Sequence, residues 1–191
     1  MSPSLCTVTR RLAALLLVAV AAGAARADEQ GEIDRLAATG QHAEALARVE
    51  RLLAQRPRDP QLRFRKGVLL AETQQPAAAI DVFARLATDY PEIPEPHNNL
   101  AVLYAAAGHY DKARAALDAA LRANPNYAVA HQNMGDIHAQ LARQSYERAL
   151  QLDPSNTAVP PKLELLARIV TPTAARPAPT ISEPATRGTT P

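Results

Sequence analysis

Apolar residues recur at spacings of three and four along most of this chain, which places them on one face of successive helices. Ala45, Val49, Leu52 and Leu53 mark a helix over about Gln41–Arg56, and comparable stripes predict helices near Gln61–Glu72, Pro76–Asp89, Pro96–Ala107 and Tyr110–Ala123. The next stripe is longer: Met134, Ile137, Leu141, Ser145, Ala149 and Leu152 continue one face. Neither Gly nor Pro interrupts the chain between Gly135 and Pro154. This predicts a single helix over about 129–152, roughly 36 Å long at 1.5 Å per residue. A tight two-residue turn near Leu141–Arg143 is the alternative. A short helix over Pro161–Val170, with Leu163, Leu165, Leu166 and Ile169, is expected to cap the apolar face that fusion leaves open.

The pattern is periodic. Pro57, Pro91 and Pro125 stand 34 residues apart, and Pro154 follows after only 29. At that interval other residues fall into shared slots: Gly67, Ala101 and Gly135 at a helix–helix contact; Leu70, Tyr104 and His138 at the next buried slot; Ala45, Ala79 and Ala113, then Val49, Phe83 and Leu117, in the second helix of each unit. Gly40 and Gly108 occupy the turn between two helices. A fixed period of this size means stacked units, each burying its apolar face against its neighbours. The fourth unit lacks five residues where its turn should stand.

The best-marked unit reads Asn98-Asn99-Leu100-Ala101, Tyr104, Gly108-His109-Tyr110, Ala113, Ala120-Leu121 and Asn124-Pro125. This resembles the tetratricopeptide repeat, a helix–turn–helix unit of 34 residues, and the resemblance covers about 28–155. The chain departs from the family pattern at the early aromatic slot, held by His97 and His131, and at the turn aromatic, held by Pro76. The fold class implied is all-α: a right-handed α-solenoid of about three and a half units over residues 28–170, the last unit fused into one helix. The resemblance also implies an inner groove lined by the first helix of each unit, where extended peptides or partner helices bind. The groove residues it assigns are Gln61, Phe64, Arg65, Val68, Asn98, Asn99, Val102, Gln132, Asn133 and Asp136. Asn and Gln carry both donors and acceptors and suit an extended peptide backbone; the alternative for Asn99 and Asn133 is hydrogen bonding between helices. Family members that clamp a terminal carboxylate use several groove cations. Here Arg65 alone fills such a slot, so a clamp is not expected.

The ends are of a different character. Arg10-Arg11, an apolar run Leu12–Ala25 and Ala25-Arg26-Ala27 read as a secretory leader over residues 1–27. The run is short for a membrane span, which needs about 20 residues, so cleavage is expected and no stable membrane anchor after it. Cys6 is the single cysteine and lies inside the leader, not at its end, so lipid attachment is not expected. The general export route is expected, with the paired arginines also raising the twin-arginine route. Cleavage removes three arginines, taking Lys+Arg from 21 to 18 against 19 Asp+Glu. The remaining chain is close to neutral and carries no basic excess for a phosphate backbone. The destination implied is a bacterial periplasm or the exterior. Residues 171–191, rich in Pro, Thr and Ala, are expected to be a disordered tail.

Candidate chemistry is sparse. No G-x-S-x-G, phosphate-cradling glycine loop or H-E-x-x-H occurs. His131 and His138 share a helix face, and His97 and His131 fill equivalent slots, but no third ligand completes a metal set, and packing is the reading preferred. Arg114, Arg122, Arg143 and Arg148 are interspersed with acids and read as a solvated surface, not a nucleic-acid patch. No catalytic residue, metal or cofactor is expected. The function implied is a non-enzymatic scaffold holding a protein or peptide partner. The alternative is self-assembly, in which the fused helix and its Leu/Ile stripe form a symmetric homodimer contact.

Overall fold

The computed structural model describes residues 29–170, and all of the regular structure among them is helical. The predicted leader over 1–27 and tail over 171–191 lie outside the described residues. Helix α1 covers residues 29–38 of the described chain. It is followed by α2 (His42–Gln55), α3 (Pro60–Glu72), α4 (Pro76–Asp89), α5 (Pro94–Ala106), α6 (Tyr110–Ala123), α7 (Ala128–Leu152) and α8 (Pro160–Val170). From α2 to α8 each helix packs on the next along the chain, as a solenoid requires.

Local chemistry sets these boundaries. Asp59 caps α3, its carboxylate accepting from the backbone N–H groups of Gln61 and Leu62 at 3.0 and 3.1 Å. Proline opens α3, α4 and α5, where a missing N–H costs nothing. Helix α5 starts at Pro94, two residues before the predicted Pro96, because both prolines fit within its first turn. Three turns repeat at the period. Gly40, Gln74 and Gly108 take φ of 75°, 60° and 75°. At each, the next N–H returns to a carbonyl five residues back: Gln41 to Leu36, Gln75 to Leu70 and His109 to Tyr104, at 2.9, 2.8 and 2.8 Å. These are helix ends closed by a left-handed residue.

The core is built in three successive packets. Ala45, Ala79 and Ala113 are fully buried, as are Val49, Phe83 and Leu117 four residues on. Small and large slots thus interdigitate as the spacing predicts. Gly67 shows why the first-helix slot is small: a Cβ there would come within 2.6 Å of the Phe83 ring.

The fourth unit follows the fused expectation. Helix α7 runs unbroken for 25 residues, about 37 Å, through the position 34 residues after Gly108. Two slot assignments are corrected here. Gly135 meets nothing within 4 Å of an added Cβ, and His138 is exposed. With no turn, the chain does not double back, and no second helix arrives to cover either residue. Helix α8 packs on the far half of α7 instead, with Lys162 Nζ 5.2 Å from the Tyr146 ring centroid.

Candidate functional site

The first helices of the units, α1, α3, α5 and the first half of α7, repeat at one interval. They therefore bring equivalent positions into rows. One row holds Phe64, Asn98 and Gln132; the next holds Arg65, Asn99 and Asn133; a third holds Asp34, Val68, Val102 and Asp136. The expected groove residues come from these rows and from Gln61, and the structure divides them sharply by depth.

Gln61 and Gln132 are exposed, and Arg65, Val68, Asn133 and Asp136 are half-buried. Phe64, Asn98, Asn99 and Val102 are buried. Phe64 is part of the core: its ring meets Phe83 edge-on with centroids 5.5 Å apart. Asn98 and Asn99 are the two buried polar side chains among the described residues, at 0% and 1% exposure. Asn133 Nδ2 donates to Asn98 Oδ1 at 2.8 Å, linking the third and fourth units. Asn98 Nδ2 and both polar atoms of the Asn99 carboxamide have no hydrogen-bond partner. Such groups cost about 1–3 kcal/mol each when buried, so Asn99 is held against its own solvation preference.

Arg65 forms an ion pair with Asp34 of α1 through two guanidinium nitrogens. The single cation expected in the groove is thus partly neutralised by a residue of the preceding unit. Sequence reasoning missed Asp34, although it stands 34 residues before Val68 and the period alone would have placed it in the same row. The accessible polar part of this face is therefore a mixed set of Gln61, Arg65, Gln132, Asn133 and Asp136. It offers donors and acceptors of both kinds, with no cluster of one charge.

The histidines at the early aromatic slot have a different task. His131 Nε2 lies 2.8 Å from the Pro125 carbonyl, and His97 bonds the backbone of Pro91 in the same way one unit earlier. Each ties the start of its helix to the preceding turn. Burial pushes the His97 imidazole pKa below its ordinary value, and nearby Arg122 acts in the same direction, against the raising effect of that backbone bond. Among the described residues no three His, Cys, Asp or Glu side chains are grouped to hold a metal ion. A cleft of about 680 Å³ also lies between α2 and α4 over α3. Two of its cations are engaged, Arg63 with Asp89 at 2.6 Å and Lys66 with Glu50 at 2.7 Å. Among the described residues no helix is long and apolar enough to cross a membrane.

Two family models, each described as tetratricopeptide repeat, match residues 31–94 and 70–137. Among solved structures, the crystal structure of MamA is 18% identical with a TM-score of 0.54, covering 71% of this chain and 82% of that one. A second crystal structure of MamA protein is 17% identical with a TM-score of 0.54, covering 73% of this chain and 79% of that one. At these identities the likeness concerns the fold.

Proposed function

Because this chain belongs to the tetratricopeptide repeat family and is a helical protein-interaction scaffold, we propose that it is an exported, non-enzymatic adaptor. In this reading it holds an extended peptide or a partner segment along the face made by α1, α3, α5 and the first half of α7. The observation that carries the reading is the row structure of that face. Exposed Gln61 and half-buried Arg65 stand on α3, and exposed Gln132 with half-buried Asn133 and Asp136 on the first half of α7. Between them the same rows pass through buried Asn98, Asn99 and Val102 of α5, so a segment crossing the face would meet two polar patches in turn. The rigid scaffold loses little conformational entropy on binding, so a modest set of hydrogen bonds suffices. Selectivity would come from the pattern of amide and charged groups, since Arg65 is already paired with Asp34.

The location proposed is the periplasm or cell exterior, after removal of residues 1–27. Amino-terminal sequencing of the secreted product starting at Asp28 supports it; recovery of the intact chain from the cytoplasm overturns it. For the groove, a photocrosslinking side chain at Gln61 or Gln132 captures a partner in cells, whereas one at Asp118 of α6 does not. Equal capture at all three positions, or none at Gln61 and Gln132, overturns the assignment.

A further inference from the structure

The second half of α7 carries a sequence suited to a contact that its own chain does not make. Counted back from Pro154, Ala142, Tyr146 and Ala149 stand where Ala113, Leu117 and Ala120 stand before Pro125. Counted forward from Pro125, Leu141 stands where Ala107 stands after Pro91. The five residues absent from the fourth unit are therefore the equivalents of Gly108-His109-Tyr110-Asp111-Lys112. Only the turn has been lost, and the pattern of the second helix is intact. In α6 that pattern is wholly buried, with Ala113, Leu117 and Ala120 all at 0% exposure. In α7, Ala142, Tyr146 and Ala149 are only half-buried, and Leu152 is 70% exposed.

The receiving surface is equally unfilled. In the second unit the large second-helix residue Phe83 sits against Gly67, so closely that a Cβ would fall at 2.6 Å. The equivalent pair in the fourth unit is Gly135 and Tyr146. They lie eleven residues apart on one helix, about 16 Å along its axis, and an added Cβ at Gly135 meets nothing within 4 Å. A glycine inside a helix is less favourable than alanine, and within one chain this one gains no contact in return.

The geometry points to a second copy of this chain as the occupant, completing the fourth repeat by exchange. The first half of α7 receives the second half of the partner's α7, antiparallel, with the partner's Tyr146 on Gly135, and the reverse contact forms on the other side. Pairing 135 with 146 places a two-fold axis between Gln140 and Leu141. The middle residue of the helix Ala128–Leu152 is Gln140, so the two helices overlap along their whole length and the interface closes on itself. Formal charge agrees: the first half carries Asp136, and the second half carries Arg143, Glu147 and Arg148, net positive. The contact also continues an interface already present. Helix α6 packs on α7, and α8 packs on α7. In the exchanged pair the packing runs from α6 to the first half of α7, then to the second half of the partner's α7 and on to its α8. A shortened connection that cannot turn back is a known route to such exchange. The reading does not depend on what the groove binds.

Light scattering on the full chain tests it. The native sequence is expected at twice the chain mass, and a monomer at the highest concentration reached overturns the proposal. Inserting Gly-His-Tyr-Asp-Lys between Leu141 and Ala142 restores the turn and is expected to give a monomer of unchanged helix content. A helical insertion variant that remains dimeric overturns the exchange. Should that variant fail to fold, crosslinking decides. Chains carrying Cys6→Ser with either Gly135→Cys or Tyr146→Cys are mixed and oxidised. A disulfide between unlike chains, as the dominant product, supports the register, since sulfur bridges need Cα atoms within about 7 Å. Its absence from a dimeric sample overturns it.

Discussion

Gly67→Ala tests the packing on which the whole stack depends. Three atoms of the Phe83 ring would lie 2.6, 2.7 and 3.0 Å from the new Cβ, about 1 Å inside the usual carbon–carbon contact of ~3.5–4.0 Å. The ring has little room to retreat: Phe83 is at 0% exposure and its ring also packs edge-on with Phe64. Overpacking a closed core costs about 1–3 kcal/mol, while alanine in place of glycine returns about 1 kcal/mol of helix propensity. The net is a loss of roughly 0–2 kcal/mol. Gly31→Ala serves as the reference, because its Cβ meets nothing within 4 Å and it should gain about 0.5–1 kcal/mol. The two substitutions should therefore differ by about 1–3 kcal/mol in urea unfolding monitored by circular dichroism. Combining Gly67→Ala with Phe83→Leu removes the clashing ring atoms and should show coupling of about 1–2 kcal/mol in a double-mutant cycle. If Gly67→Ala stabilises as much as Gly31→Ala, and the cycle is additive, the close approach of α3 and α4 is wrong.

Other expectations follow from single features. Gln74, at φ 60°, holds a turn where its two counterparts are glycine, so Gln74→Gly should raise stability by about 0.5–1 kcal/mol, seen as a higher Tm. Asn133→Ala should cost about 1–3 kcal/mol in urea unfolding, because it leaves the buried Asn98 Oδ1 without its donor; an apolar replacement of both residues should cost less than the sum of the single changes. The His97 pKa lies below its ordinary 6.5 when folded, so the unfolded chain binds the proton more readily and stability falls as pH drops through and below 6.5. His97→Gln should lose less stability than the native chain between pH 7.5 and 5.5, and identical losses would refute the burial argument.

Much of this fold is readable in the sequence because each unit repeats the same solution. The proline interval, the small–large alternation and the absence of a breaker after Gly135 together specify the helices and the fused α7. Depth was harder to read. In α5 five consecutive residues, Asn98 to Val102, are all buried, because the helix is enclosed by α4, α6 and α7. On a helix covered on most sides, no polar stripe marks the solvent face, so Asn98 and Asn99 could be assigned to a row but not to a depth. Gly135 illustrates the complementary difficulty. Its residue type matches Gly67, yet its surroundings depend on where the chain goes six residues later, which no local pattern encodes. The Asp34–Arg65 pair was within reach of the period, but it joins two units and is invisible when each is read alone.

Since each unit leans on the units beside it, the molecule has no central keystone. Pulled from its ends, such a chain should yield in small successive steps and recoil as readily, more like a leaf spring than a latch. Tension passed along it would thus be absorbed one layer at a time, and the outermost layers would give way while the interior of the stack stayed folded.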